Sequence, residues 1–352
     1  MKFGRFGNDK KKFYEMEFLL LKSEDALTSA EVGKLWTAYM GNSMVSHVIG
    51  FYLRHVDDED IRNVLEKAFT ICKNAMGNSE NILKGAGHPV PFGFKEQDVN
   101  KDAPRLFRDE FYLHYLKYVS KVGMSIYGIA IPLMTRRDTG EFFERLFLTT
   151  AELIIEINEV LEAKSLLTRP PIIPVPFKTQ YAMKQSYLNG FFGEVRPLQA
   201  LEIAHLHDNL ENNSTSRTVL LGFAQVAQTK ETRNYFIRGG EIAEKHYKAF
   251  ADMLAKEHLP APPMVAHLVT ESKITPFSER LMMYHKVDMW AMRIRSYANS
   301  MAVSPRHDLA ALYGGLMLEV GKYVEDGMDM MIDFGWYERP PEAADREELV
   351  FQ

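Results

Sequence analysis

Apolar residues recur three or four positions apart through Val32, Leu35, Trp36, Tyr39 and Met40, and again through Ile61, Leu65, Ala68, Cys72 and Met76. That spacing is the period of amphipathic helices, and the polar stretch Asp57 to Asp60 between the two runs reads as the turn of a helical hairpin. A Pro- and Gly-containing connection, GHPVPFGFKEQDVNKDAP, leads to a third helix near Phe107. A fourth begins near Gly140 and ends before Pro170 and Pro171, because proline disfavours the helical conformation in the residue before it.

The pattern then repeats. LTSAEVGKLW at Leu27 returns as LQALEIAHLH at Leu198, and the same offset pairs Asn42-Ser43 with Asn213-Ser214, Arg62-Asn63 with Arg233-Asn234, and Pro89 and Pro91 with Pro260 and Pro262. With the offset shortened by one residue, Phe107 falls on Phe277 and Arg169-Pro170-Pro171 on Arg339-Pro340-Pro341. The expectation is an all-α protein of two tandem ferritin-like four-helix bundles made by internal duplication. Residues 27–169 form copy 1 and 198–340 copy 2, with a linker at 170–197, an N-terminal arm at 1–26 and a C-terminal tail at 341–352. Two hairpins joined by a longer crossover is the ferritin-like connectivity, and a plain up-down bundle stays open beside it. The linker aromatics Tyr181, Tyr187, Phe191 and Phe192 predict that this segment packs against a domain.

A duplication supplies its own control, since equivalent positions differ only where tasks diverge. His207 replaces Trp36 and Glu211 replaces Met40; Glu244 replaces Lys73, Glu241 replaces Thr70 and His246 replaces Ala75; His285 replaces Tyr115, Asp288 replaces Tyr118 and Glu319 replaces Thr149. Only positions on the apolar stripe of a helix point into a bundle. His207 lies between Ile203 and Leu210 on that stripe, and His285 between Leu281 and Met289, with Asp288 beside it. Glu244 and Glu319 sit at stripe edges, within reach of the axis, while Glu241 points outward. Glu202 matches Glu31 of the first copy, so its Glu-x-x-His spacing with His205 is no evidence of function.

Carboxylates and imidazoles from four helices at one depth are how bundles bind first-row metals. His207, Glu211, Glu244, His285, Asp288 and Glu319 are therefore the candidate ligands for iron, manganese or zinc. Neither the second nor the fourth helix carries a mid-helix Glu-x-x-His, so one metal or two with unusual ligands both fit. Tyr247, Tyr284 and Tyr323 are candidate supporting residues, and Arg295 a counter-charge for Asp288. The plainer account of each position is a hydrogen-bonded core histidine or an edge carboxylate in an ordinary ion pair.

Charge and composition narrow the picture. The 47 acidic and 42 basic residues are interspersed, without the basic stripe that phosphate backbones require, which argues against a nucleic-acid partner. Cys72 is the lone cysteine, so an internal disulfide framework is excluded and a reducing, cytoplasmic setting fits. The apolar run Phe18 to Leu21 is too short for a membrane span or signal core. No Gly-rich phosphate cradle or nucleophile elbow is present; Gly239-Gly240 lies inside a helix and reads as a close-packing site that leaves room for ligands.

The strings LTSAEVGKLW, KDAPRLF, MKQSYLNGFFGEVRPL, YFIRGGEIAEKH, FSERLMMYH and EDGMDMMIDFGWYERPPEAADRE resemble an uncharacterised duplicated family of spore-forming bacilli. That family is classed as a domain of unknown function and is similar to ferritin-like spore coat F-type proteins. The resemblance runs from Leu27 to the tail and implies a ferritin-like bundle in each half, a bacterial cytosolic or spore-associated setting, and no established activity. Three readings follow. The first is a metal-binding protein whose site lies in the second bundle; whether it is an enzyme stays open. The second is a non-enzymatic structural or interaction protein related to the spore coat, with coat proteins or further copies of itself as partners. The third is a carrier with an apolar pocket lined by methionine and aromatic residues.

Overall fold

A computed structural model describes residues 26–346; the N-terminal arm expected at 1–26 lies outside it except for Ala26, as do the last residues of the tail. The described residues form eight long helices. In the first copy these are α1 (Ser29–Leu53), α2 (Glu59–Gly85), α3 (Asp109–Ala130) and α4 (Arg137–Ala163). In the second they are α5 (Ala200–Val226), α6 (Lys230–Ala255), α7 (Glu279–Ala302) and α8 (His307–Asp333). None is long and apolar enough to cross a membrane.

Local chemistry starts and stops these helices at matching places. Thr28 caps α1, with Glu31 closing a capping box, and Asp58, Thr229 and Ser278 accept from first-turn amides of α2, α6 and α7. The chain leaves α2 through Gly87 and α6 through His258, and leaves α4 through Ser165 and α8 through Gly335, all at positive φ. Each such residue lets a following amide reach back into the helix, as in Leu166 N to Leu161 O (2.8 Å) and Trp336 N to Met331 O (2.7 Å). At each of these two points, one copy uses glycine and the other bears a side chain in the left-handed region.

The two copies are joined by their crossovers. Asn100 N donates to Pro276 O and Thr270 N to Leu106 O; Arg108 N donates to Leu268 O and Ser278 N to Asp98 O. These pairs exchange under the repeat offset, so the crossovers form a short antiparallel ribbon about a local two-fold axis, with bridges at Val99–Phe277 and Phe107–Val269. Phe107 and Phe277 are fully buried, and Phe277 meets the rings of Phe51 of one copy and Phe223 of the other. One hydrophobic core runs through both copies, so α1, α5 and α7 are buried around most of their circumference. The segments that leave the bundles also cross over: Thr168 Oγ1 donates to Glu211, and Glu338 accepts from the Phe92 and Gly93 amides.

The linker departs from expectation. Val175, Phe177 and Phe192 are 94%, 102% and 86% exposed, and Tyr181 and Phe191 are exposed as well, so these aromatics do not dock on a bundle. Tyr187 alone is tied down, through Arg196 stacked over its ring and Gln199 donating to its hydroxyl. Prolines at 170, 171, 174 and 176 hold the chain extended and away from either core, which is why apolar content alone did not bring it in.

Two stability changes follow. Replacing Ser165 or His258 with glycine should relieve the left-handed strain and raise unfolding free energy by about 1 kcal/mol each in urea titrations. Gly239→Ala should lower it by about 1–3 kcal/mol, because its Cβ would overlap the Tyr323 hydroxyl.

Candidate functional site

The six residues singled out by the sequence do not converge. His207 and Glu211 on α5 face α3 of the other copy, where Glu211 accepts from Lys117 (3.1 Å), Lys121 (3.2 Å) and Thr168 (2.6 Å). Burial would raise the Glu211 pKa, yet the two ammonium groups beside it win and hold it at about 2. His207 is nearly buried beside this cluster, and desolvation lowers its pKa. Glu244 pairs with Lys248 (2.7 Å) and Arg217 (3.4 Å) on the outer face of α6.

His285 lies on the local two-fold axis instead of a bundle axis. Its Nε2 is hydrogen-bonded to the hydroxyl of Tyr115 (3.0 Å), the residue at the equivalent position of the first copy. Burial, and then the Lys286 charge, push its pKa well below the ordinary value, so it is neutral, and its Nδ1 has no partner. Asp288 projects toward the first copy and helps line a cavity of ≈ 60 Å³ there with Asn42, Cys72, Ser120, Gly123 and Tyr127. Desolvation raises its carboxyl to about 6. Arg295 does not neutralise it; that guanidinium reaches Ser125.

Glu319 is the one member that enters a second-bundle network. It accepts from Lys245 (2.9 Å) and from His246 Nε2 (3.0 Å), and His246 Nδ1 faces the Tyr297 hydroxyl (3.0 Å). Tyr297 accepts from Asn213 Nδ2 (2.9 Å), and Asn213 Oδ1 accepts from Arg293 Nη1 (2.8 Å). Burial lowers His246 to about 4, so the ring is neutral at pH 7. Because a carboxylate only accepts, Nε2 carries the proton and Nδ1 takes that of Tyr297. A single donor direction then runs from Arg293 through Asn213, Tyr297 and His246 to Glu319 at the surface.

These residues do not fit a resident metal. Each carboxylate of the set except Asp288 is taken up by a cation or hydrogen-bond donor. Among the described residues no group of three or more His, Cys, Asp or Glu side chains is arranged to hold an ion. Two of the tyrosines named as support, Tyr247 and Tyr323, donate to backbone carbonyls. Tyr323 stacks on Tyr235 (4.2 Å) and each hydroxyl donates to the other's backbone carbonyl, a fit that Gly239 and Gly327 make possible. Gly239 thus serves close packing, as expected, but a tyrosine fills the space that was expected for ligands.

What the sequence comparison missed are the buried cations. Lys286 is fully buried, its Nζ donating to Ser216 (3.0 Å), and Arg293 lies over Trp290 with 4.4 Å from Cζ to the ring centroid. They replace Leu116 and Gly123 of the first copy, a signal as plain in the alignment as the acidic changes. Where Trp290, Arg293 and Tyr323 fill the second bundle, the first has Ser120, Gly123 and Leu153, and these three line its cavity.

Asp288 yields a pH test. The unfolded chain ionises this carboxyl near pH 4 and the folded one near 6, so native stability falls through that window and stays lower above it. Asp288→Asn should therefore be more stable than the parent at pH 7, by on the order of 3 kcal/mol, with the difference closing below about pH 4 in denaturant melts.

A solved structure from Bacillus halodurans C-125, described as a candidate spore coat protein, is similar at 18% identity over 43% of this chain and 97% of its own, with a TM-score of 0.39. No curated protein matches. The family model described as "Protein of unknown function (DUF3231)" matches residues 17–178 and again 186–349, and the chain belongs to that family as a tandem duplication.

Proposed function

We propose that this is a non-enzymatic assembly protein whose fused bundles present the linker as an attachment segment for further copies of the chain. The observation that carries the reading is the linker itself. Ile172, Val175, Phe177, Tyr181 and Met183 ahead of the short 3-10 turn Gln185–Leu188, and Phe192 after it, stand almost wholly in solvent, an apolar exposure that folded monomers rarely maintain. Polyproline-type backbone loses little conformational entropy when it docks, which suits a recognition segment. Two of its cations, Lys178 and Lys184, carry charge opposite in sign to a chain that is net −5 overall.

Two measurements test the proposal on the full chain. Light scattering behind size exclusion should show association that grows with concentration and is lost in a Val175→Ser, Phe177→Ser, Phe192→Ser variant whose helical content is unchanged. A monomer at all concentrations would overturn it. Elemental analysis after incubation with iron, manganese or zinc should find no stoichiometric ion. One equivalent of metal that disappears in a folded His207→Ala, His285→Ala variant would restore the metal reading.

A further inference from the structure

Between the bundles, α3 of the first copy faces α5 and α7 of the second across a cleft of ≈ 380 Å³. That volume falls in the range of small-molecule sites. Its apolar wall is formed by Val122 and Met124 on one side and Met289 and Met292 on the other. Two polar side chains in the lining are incompletely satisfied. Tyr118 is 5% exposed and its hydroxyl has no hydrogen-bond partner; Arg293 is 4% exposed and its Nη2 has none.

The Arg293 guanidinium is otherwise fixed, by Asn213 on Nη1 and by the Trp290 ring beneath it. No carboxylate among the described residues forms an ion pair with it. The carboxylate in the cleft lining, Asp208, is held by Lys121 at 2.5 Å. Buried donors are almost always paired in native proteins, and an unpaired charged donor is the costliest kind. A guanidinium N–H and a phenol O–H left unpaired in the lining of one methionine-walled cleft call for an acceptor that carries negative charge and brings apolar surface with it.

We infer that this cleft binds a small organic carboxylate with an apolar body. The carboxylate accepts from Arg293 Nη2 and the Tyr118 hydroxyl, and the body packs on Met124, Met289 and Met292, whose unbranched side chains adapt to varied shapes. The site arises only from the docking of the two copies, because Tyr118 comes from the first and Arg293 from the second. It is also one-sided: the equivalents of these two residues are Asp288 and Gly123, which offer no anion a donor.

The test is calorimetric titration of the full chain with acetate, hexanoate, octanoate and benzoate, with octan-1-ol as the uncharged control. One saturable site per chain is expected for at least one of the larger carboxylates, with octanoate tighter than octanol by about tenfold or more. Arg293→Met should weaken binding about tenfold or more, and Tyr118→Phe by a few-fold. The second variant removes a single oxygen and keeps the test valid if the first fails to fold. No saturable binding by any of the four carboxylates overturns the inference. So does binding that Tyr118→Phe and a folded Arg293→Met both leave unchanged, or octanol binding as tightly as octanoate.

Discussion

The rest of this structure depends on the backbone pairing of the two crossovers. An isolated four-helix bundle buries one stripe per helix, but here Phe107 and Phe277 sit where the crossovers meet, and the ribbon of Asn100, Leu106, Thr270 and Pro276 locks them there. Those hydrogen bonds would otherwise be unsatisfied amides and carbonyls beside a hydrophobic core. Once they form, α3 must face α5 and α7, and each copy completes its core with side chains from the other. The swapped clasps at Thr168 and Glu338 tighten the same arrangement.

A fused pair differs from a symmetric dimer in that its two halves can drift apart chemically. The Asn–Tyr hydrogen bond survives in both, as Asn42 to Tyr127 (3.0 Å) and Asn213 to Tyr297 (2.9 Å). Around it the halves diverge. The second extends that bond into a directed chain ending at Glu319 and fills its centre with Trp290, Arg293 and Tyr323; the first leaves small residues and a cavity. On the local axis the divergence becomes a direct contact, since Tyr115 and His285 descend from one position and hydrogen-bond to each other. Two large groups there need a shared polar bond, and a neutral imidazole can accept from a phenol where a second tyrosine would bring a further hydroxyl to place.

The shared core also explains the fate of the six candidate residues. Reading the apolar stripe of one helix assumes that every inward position faces its own bundle. For α5 and α7 the stripe is wide because these helices serve two partners, so His207, Glu211, His285 and Asp288 are placed against the other copy. The edge positions behaved differently: Glu244 pairs with cations on the surface, while Glu319 reaches inward to a histidine, His246, that the inward-facing argument had left out.

The sequence by itself determined the helices, their caps and breakers, and the duplication, because these rest on short-range periodicity and on prolines and glycines that act within a few residues. Shared text at a constant offset needs no tertiary knowledge, and neither does the finding that polar change concentrates in the second copy. Only the tertiary structure decided how the copies dock, which buried charges share a space, and that most of the linker's apolar side chains stay in solvent. Those outcomes turn on which faces of separate helices meet across 100 or more residues of chain, and hydrophobic pattern alone gives the width of a buried face without naming what covers it.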